Sequence, residues 1–496
     1  MRLRCLTGSK AIAFVGGIVF DRCLGAALAA LFLALSFPRH AWIRLRSRWS
    51  RGAAGSAQLA AERARSGRVD PAFALDGNGI AFESAIAAYE ELIDATCTPI
   101  NALHVAMVIP TLDRIGGAER QVLLLAIGLR RRGWRVTAVA LSGTGGAAAA
   151  ELRSAGVDFL SLSMRKGLAD PWGWARYIGW LRRNKPNVVH AHLPHAAWLA
   201  RWSRLFAPAP VIIDTLHSSS TGGPGRRLGY RLSRGLPDKV TAVSQSVADS
   251  HLSARMVRRA TLRVLPNGVD LEKWRPDARM RAELRRELGL EDEFLWLAAG
   301  RLEMVKDYST LLKAMIAVPP PVRLVIAGDG PLLHHLARLS TRLELYERVR
   351  FLGFEANPRR WFQVADAFVL SSRWEGLPMA LLEAAACALP AVATDVPGSR
   401  EVVLDGETGT LVPPADASAL AWAMTAMMRT SPEERRRIGA RARQRAMEHF
   451  SLATSFDRWE ELYCALLSRK SREAVAVRMP APDSRCASVG GSRSAF

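Results

Sequence analysis

The stretch Glu375-Gly376-Leu377-Pro378-Met379-Ala380-Leu381-Leu382-Glu383 decides how this chain is read. Gly and Pro beside the first glutamate interrupt regular structure, and the Met-Ala-Leu-Leu run that follows favours helix. The spacing predicts Glu375 on a loop after a strand and Glu383 about one turn into the next helix. Before it stands Asp366-Ala-Phe-Val-Leu-Ser-Ser372, an apolar strand, and after it Ala388-Leu-Pro390 and a second apolar run ending at Asp395. Loops at the carboxyl ends of parallel strands are where open α/β sheets bind ligands. Without those flanks, two glutamates at this distance would be an ordinary solvated helix charge.

The same alternation of strand and helix extends over residues 103–450. Buried strands are expected at 104–109, 135–141, 157–162, 188–190, 211–215 and 240–243, with helices at 118–131, 147–154 and 172–183. A second series follows at 294–299, 323–327, 349–352, 367–370, 391–394 and 409–412. Short apolar runs separated by helical segments predict parallel sheets covered by helices. The chain divides accordingly into 101–275 and 276–450, with 451–468 a helix crossing back and 469–496 a Ser-, Arg- and Pro-rich tail expected to be disordered.

Several motifs fall at strand ends in this frame. They are Gly116-Gly-Ala-Glu-Arg120, Pro266-Asn-Gly-Val-Asp270, Gly300-Arg301-Leu302 with Lys306 five residues after the arginine, and Ala327-Gly-Asp-Gly-Pro331. Together with the paired glutamates they resemble, over roughly residues 103–450, the retaining glycosyltransferases of family four (group 1 glycosyl transferases). The resemblance implies the GT-B fold, two Rossmann-like α/β domains facing across a cleft. It also implies hexosyl transfer from a nucleotide sugar, such as a UDP- or GDP-sugar, to a membrane-associated saccharide or lipid-linked acceptor. Surface polysaccharide, lipopolysaccharide or glycolipid synthesis would be the setting.

The resemblance also assigns roles. Arg301 and Lys306 become counter-charges for the donor diphosphate, where fixed cations stabilise the charge that develops as the glycosidic bond breaks. Glu375 reaches the sugar hydroxyls, Gly376, Leu377, Pro378, Met379 and Leu381 line the donor, the segment presenting its available backbone amides to the sugar and phosphate, and Glu383 takes the ribose. Gly116 and Gly117 open a helix whose amino terminus can meet a phosphate. His217 is placed against the donor sugar and His192 on the acceptor side. The chain has no D-x-D motif and no ligand cluster, so neither a metal nor any other cofactor is expected. Ala388 stands where the family has glycine before Leu-Pro, and Pro397-Gly398 replaces Gly-Gly.

Composition narrows the partners. Six scattered cysteines without a C-x-x-C pair argue against a zinc site or a disulfide framework. The net charge of +22 is concentrated in residues 101–275, where 26 basic and 10 acidic side chains leave +16. No nucleic-acid-binding module is evident, so no nucleic-acid partner is expected. Tryptophans interleave with the basic residues at Trp172–Arg183 and 198–204, a mixture suited to an anionic membrane surface.

Residues 1–50 hold apolar runs at 11–20 and 23–37, split by Asp21-Arg22 and followed by five arginines. Neither run reaches the roughly 20 residues of a spanning helix. Three readings remain open: a membrane anchor, spanning or re-entrant; a misassigned start; and a cleaved signal peptide. With an anchor at 11–37 the enzyme would work at the cytoplasmic face of the inner membrane. Residues 51–100 read as a connector. The contrasting functional class is a non-catalytic carbohydrate- or lipid-binding scaffold that keeps the same fold.

Overall fold

The computed structural model describes residues 103–165, 170–207, 209–290, 293–355 and 357–476. The apolar segment 11–37, the connector 51–100 and the tail from 477 onward lie outside the described residues. Among the described residues no helix is long and apolar enough to cross a membrane.

Two parallel sheets organise the chain. The first holds β1 (His104–Ile109), β2 (Arg135–Ala140), β3 (Asp158–Ser161), β4 (Val188–His192), β5 (Val211–Leu216), β6 (Lys239–Ala242) and β7 (Leu262–Val264), in the order β3-β2-β1-β4-β5-β6-β7. The second holds β8 (Phe294–Ala299), β9 (Val322–Ala327), β10 (Val349–Gly353), β11 (Ala367–Leu370), β12 (Ala391–Thr394) and β13 (Gly409–Val412), ordered β10-β9-β8-β11-β12-β13. The strand order reverses between β1 and β4 and again between β8 and β11. A crevice opens at each reversal, because the flanking connections leave to opposite faces. β1, β4, β5, β11 and β12 are buried along their whole length. That is why β1, β11 and β12 read as near-continuous apolar runs rather than as alternating ones.

Helices α1 (Gly117–Arg131), α2 (Gly146–Ser154), α3 (Pro171–Asn184), α4 (Pro194–Ser203), α5 (Pro224–Ser233) and α6 (Gln245–Ser253) belong to the first sheet. The second is covered by α7 (Ala278–Glu287), α8 (Tyr308–Ala317), α9 (Leu333–Arg342), α10 (Arg359–Val364), α11 (Met379–Ala386), α12 (Pro397–Val402), α13 (Ala417–Arg429) and α14 (Pro432–Phe450). The last helix, α15 (Leu452–Ala476), returns to the first domain. Its Trp459, Leu462, Tyr463 and Leu466 are buried with Trp134, Leu125 and Ile213 in one cluster. Each such large side chain contributes about 2–3 kcal/mol by leaving water. Arg132 pairs with Asp457 and Glu460, and the Trp134 indole donates to Glu460 at 2.7 Å.

Three boundaries differ from the sequence reading. β4 continues past His190 to His192, because both histidines pair with β5 (His190 with Ile213, His192 with Thr215). β7 is a three-residue edge strand whose pairing with β6 is its only mark. The crossing helix does not stop at 468 but runs to Ala476, so a disordered tail beginning at 469 is corrected for those eight residues. Arg469 and Lys470 both reach Glu473 on the same helix, and Lys470 also meets Asp238 of the first domain at 3.1 Å.

Two motif residues have structural explanations. Asp366, at the head of β11, receives Arg281 and Arg285 from α7 and the amide of Leu295 from β8. It anchors the end of the sheet far from the strand tips. Ala388, where the family has glycine, has φ of +57°. This is the left-handed position that ends α11, and a Cβ there is strained by about 1–2 kcal/mol. Opposite it, a Cβ on Gly439 of α14 would lie 2.0 Å from the Ala388 carbonyl oxygen. Ala388→Gly is therefore expected to stabilise the chain by up to about 1 kcal/mol in urea unfolding, and Gly439→Ala to destabilise it. A destabilised Ala388→Gly would show that the turn tolerates its Cβ without strain.

Candidate active site

The strand tips of the two sheets meet across a cleft, and glycine governs how closely. Gly376, on the loop after β11, sits so near the first domain that an added Cβ would lie 2.4 Å from the His217 carbonyl oxygen. Gly117, the first residue of α1, lies against Met379, the first residue of α11: a Cβ added to Gly117 would be 3.4 Å from Met379 Cγ. The expected donor-lining segment and the expected phosphate-facing helix start are thus brought together from opposite domains.

On the second-domain side, Lys306 Nζ donates to Glu375 Oε1 at 2.6 Å, and Ser372 Oγ donates to the same oxygen at 2.6 Å. Arg301 pairs with Glu303 at 2.9 Å. Both cations expected to meet an anion are therefore held by carboxylates. Gly300, with φ of +149°, lets the chain turn at the end of β8, close to the Lys306 side chain and the Tyr308 hydroxyl. Sequence reasoning does not single out Ser372 and Glu303. Their signal is proximity: one is three residues from Glu375, the other two from Arg301.

Glu383 lies in α11 and is only partly accessible. Burial pushes its carboxyl up to about 7, while Lys273 and Arg120 pull it down without cancelling that effect. A carboxylate placed where it is uncomfortable without a partner suits hydroxyl donors from a ligand. Leu381 departs from the expectation of an amide offered to the donor. Its N–H is already given to the Pro378 carbonyl at 3.1 Å, and its side chain is buried among Ala385, Leu389 and Val402. Leu381 packs α11 onto the core, as its place inside the first helical turn requires. Similarly, the Gly116 amide at the start of α1 is taken by Glu119 Oε2 at 3.0 Å, a capping contact that an incoming anion would have to displace.

On the first-domain side, β4 and β5 carry a histidine array. His190 is fixed by Tyr463 of α15 on one ring nitrogen and by Thr215 on the other, both at 2.7 Å. His192 Nδ1 and His217 Nε2 are 3.2 Å apart. Burial lowers His217 to about 4 and His190 to about 3, and burial with the neighbouring rings holds His192 well below its usual range. All three are neutral at pH 7. The hydrogen shared by His192 and His217 leaves their outer nitrogens, His192 Nε2 and His217 Nδ1, buried and unpartnered. Whichever tautomer is present, one of these is a donor and the other an acceptor, the complement of a hydroxyl group. Both histidines line a cavity of about 20 Å³ with Gln121, Asn267, Ser455 and Trp459, room for about one water.

The Glu383 shift gives a sign that can be measured. Its ordinary value is 4.5 and its folded value about 7. Between these the folded chain keeps a proton that the unfolded chain has lost, so this group's contribution makes stability fall as pH rises through that window. Glu383→Gln removes the effect. The variant should melt higher than the parent at pH 8, with the difference vanishing below pH 4.5. A variant that melts lower at pH 8 would assign Glu383 a supporting ion pair instead.

Comparisons with known proteins bear on the family and the fold. The family model of glycosyltransferase family 4 matches residues 115–273, and that of glycosyl transferases group 1 matches residues 280–445. A GDP-mannose-dependent alpha-(1-6)-phosphatidylinositol monomannoside mannosyltransferase of Mycolicibacterium smegmatis is 31% identical over 284 residues, covering 54% of this chain and 73% of the relative. A UDP-Gal:alpha-D-GlcNAc-diphosphoundecaprenol alpha-1,3-galactosyltransferase of Escherichia coli is 27% identical over 307 residues, 58% of this chain and 78% of the relative. Among solved structures, HepE of Anabaena in complex with UDP-glucose superposes with a TM-score of 0.65 at 22% identity, covering 73% of this chain and 99% of HepE. With two parallel-sheet domains, paired strand tips and these relatives, the chain belongs to the group 1 glycosyl transferases of the GT-B fold and is a glycosyltransferase.

Proposed function

We propose that the enzyme transfers a hexosyl unit, with retention, from a nucleotide sugar to a membrane-associated saccharide or lipid-linked acceptor during synthesis of a cell-surface glycan. The observation that carries this reading is the convergence of Lys306, Glu375 and Gly376 with His217 where the two sheets' strand tips meet. The diphosphate of the donor replaces Glu375 and Glu303 as counter-ion of Lys306 and Arg301. As the bond from the anomeric carbon to the diphosphate oxygen breaks, negative charge grows on that oxygen, and the two cations stabilise it. The acceptor hydroxyl attacks from the same face and passes its proton to the departing phosphate oxygen. His217 and Glu375 hold sugar hydroxyls, Glu383 holds the ribose, and His192 borders the acceptor. With two cations serving the leaving group, no metal is required.

The relatives support a lipid-linked acceptor: the E. coli enzyme is named for a diphosphoundecaprenol substrate and the mycobacterial one for a phosphatidylinositol monomannoside. The decisive experiment screens UDP-, GDP- and ADP-sugars against polyprenyl-diphosphate acceptors with mass detection, in excess EDTA. Arg301→Ala and Lys306→Ala should each lower turnover about a hundredfold or more at saturating donor. Near-normal turnover in both variants would sink the assignment. Activity abolished by EDTA and restored by manganese or magnesium would refute the metal-free route.

A second surface supports work at the cytoplasmic face of the membrane. The sequence points to tryptophans and arginines at 198–204, but Arg201 is fully buried against Asp214 and Arg204 is bound to Asp238, so these two cations are held within the domain, and Trp198 and Trp202 are half-buried. The exposed pattern lies on α5 instead. Leu228 and Leu232, one turn apart, are 54% and 61% exposed among Arg227, Arg231 and Arg234, and Trp172 on α3 is 78% exposed. Each basic residue near an anionic surface contributes about 1 kcal/mol. Replacing Leu228 and Leu232 by Asp in the full chain should weaken binding to phosphatidylserine-containing vesicles about tenfold or more at low salt. Unchanged binding would move the attachment to another part of the chain.

A further inference from the structure

We propose that Glu401 is a positioning residue that locks the two domains together over the donor site, by placing a carboxylate of the second domain at the amino terminus of a first-domain helix. Ser246, in the first turn of α6, donates its amide to Glu401 Oε1 at 3.1 Å. The amide of Gln245 and the hydroxyl of Ser244 also act on this carboxylate. Ser244 is itself the cap of α6, with its hydroxyl bound to the Val247 amide. The amides at a helix start point along the helix axis and carry about half a positive charge, so a carboxylate there forms a charge-assisted contact. Two other contacts across the cleft, Gly376 against His217 and Met379 against Gly117 and Gln121, involve no charge. Burial pushes the Glu401 carboxyl above its ordinary value and Asp249 of α6 adds to that, while the helix-start amides, the Ser244 hydroxyl and Arg445 of α14 favour the charge.

What makes this contact more than a surface bridge is the helix that carries it. Glu401 belongs to α12, and Arg445 holds the carbonyl oxygens of Glu401 and Val402 at 2.8 and 3.1 Å. The same helix contains Gly398, where a Cβ would lie 2.8 Å from both the carbonyl oxygen and the Cβ of Glu375. One face of α12 therefore backs the glutamate that grips Lys306, while its Glu401 grips the other domain. Separating the domains at Glu401 shifts the support behind Glu375, which ties closure to the arrangement of the donor site. The inference rests on the transferase reading for its catalytic consequence, but not for the closure itself.

Two variants of the full chain test it. Glu401→Ala removes both charge and acceptor, while Glu401→Gln keeps the shape and the Oε1 acceptor and loses only the charge. Small-angle scattering of the protein without ligands should show a larger radius of gyration for Glu401→Ala, with Glu401→Gln between it and the parent. With the donor and acceptor found by the screen, Glu401→Ala should lower kcat about five- to twentyfold with donor KM changed less, and Gln should restore part of the loss. Glu401→Gln guards against a folding defect, since it preserves the packing. A radius of gyration that is the same in all three proteins overturns the proposal. If none of the three transfers sugar under any donor, the transferase reading fails, and scattering still decides the role of Glu401.

Discussion

The two domains can face one another because the chain crosses between them twice at the same place. The first crossing follows Pro266-Asn267-Gly268, and the second joins α14 to α15. One parallel bridge, Val269 beside Ser451, ties them: Val269 donates to the Phe450 carbonyl at 2.7 Å and Leu452 donates to the Val269 carbonyl at 3.0 Å. Gly268 permits this, since a Cβ there would lie 2.6 Å from Leu452 Cα. Gln121 of α1 then clasps Gly268 through both its amide and its carbonyl. The helix whose amino terminus faces the cleft is in this way fixed to the pivot itself.

Around that pivot the site is arranged as a set of charges that already have partners. Lys306 is neutralised by Glu375 and Arg301 by Glu303, so neither cation faces the cleft without a counter-ion. The histidines opposite are neutral because they are buried, and they offer hydrogen bonds rather than charge. Glu383 is the exception, a carboxylate whose surroundings disfavour ionisation until a donor of hydrogen bonds arrives. An uncompensated buried charge is costly, which is why the cations and Glu375 are found in pairs.

Much of this was legible in the chain. The strand and helix alternation is visible because parallel strands buried on both faces must be apolar throughout, and β1, β5, β8, β11 and β12 contain little else. Glu375 on a loop and Glu383 one turn into a helix follow from local preferences of Gly, Pro, Ala and Leu. The edge strand β7 was not legible, because three half-buried residues have no pattern to read. Nor was the core role of Arg201, since a sequence gives no sign that an arginine's partner, Asp214, lies on a neighbouring strand with both side chains fully buried.

What the sequence by itself determined is the local framework: which residues form strands, which loops end them, and which side chains those loops carry. These depend on neighbours a few residues apart, through backbone preference and the periodicity of burial. Only the tertiary structure decided which of those side chains meet. Glu401 and Ser246 are 155 residues apart, Gly376 and His217 about as far, and Tyr463 and His190 further still. Such pairs form because sheet order, the double crossing and the returning helix close long loops at fixed points, and no local preference encodes the register in which they close.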